Sequence, residues 1–223
     1  MSINNFYTVV GDDFKLFAKK NKAVTFSNLE LLLEKNQIDT LNLGQGLSKS
    51  ELVKINEISS VKLLNEYNQI PKGLVHKTND VNTLISDVIK IGEDSFSFGV
   101  QIYKGNEFLL DHITGIHING TLIIEAARQA LVSVLESHYG DVSIGSRFIL
   151  NSFKTEFISY VYPIAINGNI NIFKTSENKI STTFSSTVLI KQLDNICVKA
   201  NIDCSLTKES IANLNEHLSS PKL

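Results

Sequence analysis

Cysteine is scarce in this chain: two residues in 223, Cys197 and Cys204, seven apart in a strand-like run. Successive strand side chains point to opposite faces, so an odd spacing separates the two thiols and a local disulfide is not expected. With no C-x-x-C pair and so few thiols, the composition fits a reducing compartment. The histidines and cysteines also lack the spacing of a metal site, so no metal is expected. Charge of one sign is equally scarce. Lys plus Arg number 21 against 23 for Asp plus Glu, and without a strongly basic stretch a nucleic-acid surface has no support. No apolar run approaches the roughly 20 residues of a spanning helix. The opening MSINNFYTVVGDDFK has no basic region followed by a long apolar run, so no secretory signal is expected. A cytoplasmic protein, free of nucleic acid and membrane, is the expectation.

What is present is an ordinary globular balance, 43% hydrophobic and 20% charged, enough for a sizeable core. In the first 70 residues, short apolar runs alternate with helix-like segments. FYTVV (6–10), IDTLNLGQGLS (38–48) and SVKLLNE (60–66) read as strands, the second running into a Gly-rich turn. SNLELLLEKN (27–36), opened by Ser27 as a cap, and SELVKINEI (50–58) read as helices. This predicts a small α/β domain over 1–70, closed by a linker at Pro71. The Gly-Gln-Gly of its second strand lacks the remaining glycine of a dinucleotide fingerprint and the Lys-Ser/Thr of a P-loop, so a simple turn is the preferred reading over a phosphate site.

The pattern then changes. TLISDVIKIG (83–92) and SFSFGVQIYKG (95–105) read as strands around a Gly92-Glu93-Asp94 turn. A long helix follows over about 119–138, stopped at Gly140, and then strand after strand with turns at Asn167-Gly168, Glu177-Asn178 and Asp194-Asn195. KESIANLNEHL (208–218) closes the chain as an amphipathic helix. The long helix is apolar nearly all round, which predicts burial on several sides, and Ala126, Ala127 and Ala130 keep it thin. An antiparallel sheet wrapped around it satisfies both features: an α+β domain over 71–207, with 208–223 as a C-terminal helix and tail. Yet the middle of this helix carries Glu125, Arg128 and Gln129, neighbours on a helix surface. Either these polar groups satisfy one another as a buried ion pair, which adds little net stability, or they face a site.

The segment HITGIHINGTLIIEAARQA resembles the central-helix motif of hotdog-fold acyl-carrier-protein dehydratases. A fuller resemblance is to the A-factor (γ-butyrolactone) biosynthesis hotdog family, carried by LVHK (74–77), GEDSF (92–96), EAARQ (125–129), ESHYG (136–140) and SRFIL (146–150), in that order. The resemblance implies a hotdog fold, a homodimer whose site forms between two central helices, and action on β-ketoacyl thioesters of acyl carrier protein or coenzyme A, with no cofactor. Its prototype activity esterifies dihydroxyacetone phosphate, a phosphorylated acceptor. The chain departs from the pattern in two respects. It has one set of motifs where the prototype has two tandem units, and Tyr-Lys-Gly-Asn-Glu (103–107) where the family has Pro-Arg-x-His.

On this reading Glu125 is a general base whose pKa burial raises, Arg128 pairs with it or binds the acceptor's phosphate, and Gln129 orients Glu125. His112, in the turn before the helix, reaches a substrate oxygen or is a surface residue. His117 is a further candidate, and its neighbour Asn119 caps the helix or contacts substrate. Backbone N–H groups at Gly120 and Thr121 hold the thioester carbonyl as it gains charge. His76 is placed in a strand, and His138 at the helix end, where a cation is favoured. Two other readings stand beside acyl transfer: a 3-hydroxyacyl-thioester dehydratase using His112 and Glu125, and a non-catalytic acyl-binding or scaffolding module.

Overall fold

Parallel strands need a crossover between them, and the first third of the chain supplies one after each strand. The computed structural model describes residues 6–35, 38–110 and 114–221. Strands β1 (Phe6–Val10), β2 (Ala23–Thr25), β3 (Thr40–Leu43) and β4 (Lys62–Leu63) are joined through helices α1 (Lys15–Lys20), α2 (Phe26–Glu34) and α3 (Lys49–Asn56). They form a parallel sheet in the order β2-β1-β3-β4. Val9, Val24, Leu29, Leu41, Leu43 and Ile55 fill its core. A capping box starts α3: Ser48 Oγ accepts from the Glu51 N–H, and Glu51 Oε2 accepts from the Ser48 N–H. The strand β2 is an addition to the three expected, and at three residues it carries no readable alternation. Ser27 does not cap α2; the helix begins at Phe26, and the Ser27 hydroxyl donates to Asp12 Oδ2 at 2.6 Å.

The second sheet is antiparallel. Its strands are β5 (Ile89–Lys90), β6 (Ser95–Val100), β7 (Ser146–Phe157), β8 (Ile166–Glu177), β9 (Ser181–Gln192) and β10 (Asn195–Lys208), in the order β5-β6-β8-β9-β10-β7. Between β6 and β7 run α4 (Glu107–Leu110), the central helix α5 (Gly120–His138) and α6 (Gly140–Ser143); α7 (Glu209–Ser219) follows β10. This is the hotdog fold. At 1.5 Å per residue α5 is about 28 Å long, and the sheet curls around it. Ile123, Ala126, Ala127, Ala130 and Val134 share a core with Ile170, Phe184, Val188 and Ile202. Alternate β9 residues are buried throughout, from Thr182 to Gln192, as a strand with one face on the core requires.

Several boundaries differ from the sequence reading, each for a local reason. Of 83–92 only Ile89–Lys90 is a named strand. Nearer its start the segment meets β6 at an isolated bridge, Ile85 opposite Val100, with Ser86 N–H donating to the Gly99 carbonyl, while Leu84 N–H turns inward to the Gln129 side chain of α5. Strand β6 stops at Val100 because Gln45 and Leu47 capture the next residues: Ile102 N–H donates to Gln45 Oε1 and Lys104 N–H to the Leu47 carbonyl. Asn167-Gly168 is no turn but lies inside β8, where Gly168 pairs with Phe98. A Cβ at Gly168 would sit 2.1 Å from Phe98 Cζ, so the glycine makes room for the ring. Asp194-Asn195 does mark a hairpin, with Leu193 and Asp194 at φ 47° and 67° in the manner of a primed turn. Tyr139, not Gly140, ends α5, and Gly140 starts α6. Cys197 and Cys204 are both free and buried.

The two sheets meet at Gly44-Gln45-Gly46. Gln45 is fully buried; its Nε2 donates to the carbonyls of Val100 and Ile164. The backbone N–H groups of Gly44, Gln45 and Gly46 donate to Val9, Pro163 and Ile102. All three donors are therefore engaged by carbonyls, and this loop is a latch, not a phosphate cradle. Val10, Phe14 and Phe17, from the first strand and the turns after it, pack in the core around α5.

Candidate functional site

Two features lie at the first half of α5, on opposite faces. The first is the polar cluster. Glu125 and Arg128 stand one turn apart, so the guanidinium reaches back to grip both carboxylate oxygens, Nε to Oε2 and Nη2 to Oε1, each at 2.8 Å. Lys77 Nζ lies 2.8 Å from Oε1, and Gln129 Nε2 donates to the same oxygen at 3.0 Å. The carboxylate is thus held between two cations. Burial alone would raise its pKa, but the bonds from Arg128, Lys77 and Gln129 outweigh it and bring Glu125 down to about 2. The expected upward shift is overturned: at neutral pH this group is ionised and a weak base. The missing information was the number of donors. Arg128 is visible at i+3 in the sequence, whereas Lys77 arrives from 48 positions upstream, inside the LVHK motif that had drawn attention only to His76.

Gln129 is fully buried and bridges α5 to the segment before β5, accepting from Leu84 N–H and donating to the Asn82 carbonyl, both at 2.8 Å. Arg128 Nη2 donates to the Val75 carbonyl at 3.2 Å. The charged side chains are not sealed: Glu125 is 12% exposed, Lys77 20% and Arg128 21%. Lys77 also sits over the Phe108 ring at 5.7 Å. His76 is not in a strand. It occupies a left-handed turn, φ 55°, and its Nε2 lies 2.9 Å from Glu136 Oε1. His138 packs on Phe96, ring centres 4.6 Å apart. His112 falls outside the described residues.

The second feature is a cavity of about 720 Å³ at the start of α5, lined by His117, Gly120, Ile123, Phe157, Tyr160 and Cys197 among others. The loop entering the helix is shaped by Thr114, whose hydroxyl donates to the His117 carbonyl at 2.9 Å and accepts the His117 N–H at 3.0 Å. The His117 ring lies on Tyr160, centres 4.9 Å apart. Asn119 is the helix cap: its Oδ1 accepts the Thr121 N–H at 3.0 Å. That engagement removes Thr121 N–H as a free oxyanion donor, and Thr121 itself is exposed. The Gly120 N–H has no acceptor among the described residues. A Cβ at Gly120 would come 2.9 Å from Phe157 Cζ, so glycine keeps the cavity mouth open beside that ring.

The structure therefore splits the candidates. His117, Asn119 and Gly120 line the cavity, whereas Glu125, Arg128 and Gln129 form the cluster. At 3.6 residues per turn, Ile123 and Glu125 point about 160° apart. One chain does not bring the two sets together. Among the described residues no group of three or more His, Cys, Asp and Glu is placed to hold a metal. Among them also, no helix is long and apolar enough to cross a membrane.

Residues 59–208 match the profile of the A-factor biosynthesis hotdog domain. No curated relative matches the sequence. Similar solved structures include the dehydratase heterocomplex ApeI:P from Xenorhabdus doucetiae, with 14% identity and a TM-score of 0.50 over 70% of this chain and 100% of that one. A putative thioesterase from Shewanella oneidensis has 6% identity and a TM-score of 0.43, covering 61% of this chain and 86% of that chain. A thioesterase from Haemophilus influenzae has 10% identity and a TM-score of 0.42, covering 65% and 94%. At such identities the likeness to the first of these is one of fold.

Proposed function

This chain belongs to the A-factor biosynthesis hotdog family, and from that premise we propose that it transfers a β-ketoacyl group from an acyl-carrier-protein or coenzyme A thioester to a hydroxyl acceptor. The observation that carries the reading is the mainly apolar cavity of about 720 Å³ whose lining includes Gly120 at the helix start, its N–H without an acceptor among the described residues. An acyl chain fills the cavity, and the thioester carbonyl faces the helix start, where the N–H and the positive end of the helix stabilise its developing charge. The acceptor hydroxyl attacks the carbonyl carbon and His117 takes its proton. The C–S bond then breaks, and the departing thiolate receives that proton. Glu125 serves as an anchor that aims Arg128 and Lys77. The pair carries one more positive charge than the carboxylate neutralises, which suits a phosphorylated acceptor such as dihydroxyacetone phosphate.

Cavity and cluster lie on different faces of α5, so the proposal includes a second copy of the chain, the cavity of one protomer meeting the cation cluster of the other. Strand β7 suits this pairing. It is a twelve-residue edge strand, bonded to β10 on one side only, with Ile149, Leu150 and Phe157 each more than a third exposed. Ile124 adds an exposed apolar residue on the open side of α5. An edge of that length is a template for pairing with another chain.

The test is intact-mass analysis of β-ketoacyl carrier protein incubated with the full chain, with and without dihydroxyacetone phosphate, for wild type and Glu125→Gln. Loss of the acyl group only with the acceptor, and weakened in the variant, is the expected result. A carrier that stays loaded throughout refutes acyl transfer. Dehydration of a 3-hydroxyacyl carrier would then mark a dehydratase, and binding without turnover a carrier-binding module.

A further inference from the structure

A second, smaller cavity of about 240 Å³ adjoins the first, lined by Thr8, Phe17, Asn21 and Lys22 of the N-terminal unit together with Tyr162, Ile164 and Leu193. Those last three residues line the large cavity as well. The two spaces therefore share a wall of Tyr162 and Ile164, with the exposed Leu193 at its edge. Its main panel, Tyr162, is held from behind by Phe17, whose ring stacks on it at 5.9 Å between centres and an interplanar angle of 29°. Phe17 is in turn fixed within α1. Its N–H donates to the Gly115 carbonyl at 2.9 Å, in the loop that leads into α5, and its side chain is buried in the main core. The Tyr162 backbone is pinned independently, exchanging hydrogen bonds with the Gln192 side chain at 2.8 Å in both directions. The ring can therefore be removed or can swing without releasing the β7–β8 connection that carries it.

We propose that the N-terminal α/β unit sets the length of acyl group the protein accepts, with Tyr162 as the end wall of the acyl cavity and Phe17 as the residue that positions this wall. The inference rests on the acyl-binding reading of the large cavity. Removing the wall would join the two spaces, and at roughly 30 Å³ per water-sized group the small cavity adds room for up to about eight methylene-sized groups.

The test uses the full chain and a series of saturated acyl-coenzyme A thioesters from butanoyl to hexadecanoyl, with affinity measured by calorimetry. Wild type, Tyr162→Ala, Ile164→Ala, Phe17→Ala and the conservative Phe17→Leu are compared. Wild-type affinity is expected to rise with length and then fall. Tyr162→Ala and Phe17→Ala are expected to move that fall to chains longer by roughly four to eight carbons, and Phe17→Leu to restore most of the wild-type limit. If Phe17→Ala fails to fold, Tyr162→Ala decides, since that side chain is 40% exposed and carries little of the core. An unchanged length limit in Tyr162→Ala, with wild type still binding acyl-coenzyme A, overturns the wall while leaving the acyl site intact. No binding of any thioester by wild type removes both the wall and the acyl reading.

Discussion

Replacing Glu125 with Gln keeps the shape of the side chain and removes its charge, and the structure fixes how the effect should depend on pH. Two cations and an amide hold the folded carboxylate at about 2, against 4.5 for a free glutamate. A depression of that size corresponds to about 3 kcal/mol of stability, at 1.36 kcal/mol for each unit. The sign follows from proton counting. Between these two values the unfolded chain binds the proton and the folded chain does not, so stability rises with pH across that range. The contribution is complete above about pH 5 and is lost as pH falls towards 2. Between pH 7 and pH 3 the loss amounts to about 2 kcal/mol. Urea unfolding of wild type and Glu125→Gln at both pH values isolates it, because every other carboxylate titrates alike in the two proteins. The variant should be less stable at pH 7, with Arg128 and Lys77 left without their anion, and the gap should narrow by about 2 kcal/mol at pH 3. A gap of constant width would mean that Glu125 is not clasped by the two cations in solution.

Gly11→Ala should destabilise by at least about 3 kcal/mol in urea unfolding, because its Cβ would fall 1.8 Å from the Gly46 carbonyl oxygen and only backbone could move. Gly120→Ala should behave oppositely, changing stability by less than about 1 kcal/mol, since the obstructing Phe157 ring is half exposed and can turn away. It should still narrow the cavity mouth, weakening acyl-coenzyme A affinity about tenfold in the same calorimetric assay. Cys204, buried with its thiol pushed up to about 12 by burial and then by Asp203, should resist alkylation at pH 8 until the protein unfolds, as mass spectrometry of iodoacetamide-treated samples would show.

The central helix was legible because it is long, apolar nearly all round and bounded: most residues from Leu122 to Leu135 are buried, and Asn119 supplies the cap seen in the structure. The last hairpin was legible from Asp194-Asn195. Gly168 misled because a glycine that admits an aromatic ring reads the same as a glycine that permits a turn. The segment 83–92 misled only in part: it does meet β6 at Ile85 and Val100, but its Leu84 N–H goes to a side chain, Gln129, about 45 residues away. His117, Asn119 and Gly120 were legible as neighbours at the helix start, but the rest of the cavity was not: it adds the end of β7 with the loop after it, Phe157–Tyr162, and the hairpin tip at Leu193. Motif order identified the family better than it identified the site, since order survives when spatial neighbours come from distant segments.

The cluster around Glu125 does two things that pull in different directions. It fastens the segment before β5 to the helix, through Arg128 to the Val75 carbonyl and through Gln129 to Asn82 and Leu84. Fastening alone would be served as well by packed apolar side chains, which often replace buried ion pairs without loss of stability. Gln129, fully buried and with both ends of its amide engaged by backbone, already accounts for most of that role. What Gln129 cannot supply is charge at the surface. Arg128 and Lys77 stay about one-fifth exposed while bound to a single carboxylate, so the rim of the cluster keeps a positive excess in fixed geometry beside the open face of α5. A low glutamate pKa keeps that geometry constant across the physiological range. A carboxylate held ionised between two cations works better as their fixed anchor than as the proton-transferring group its burial alone suggested.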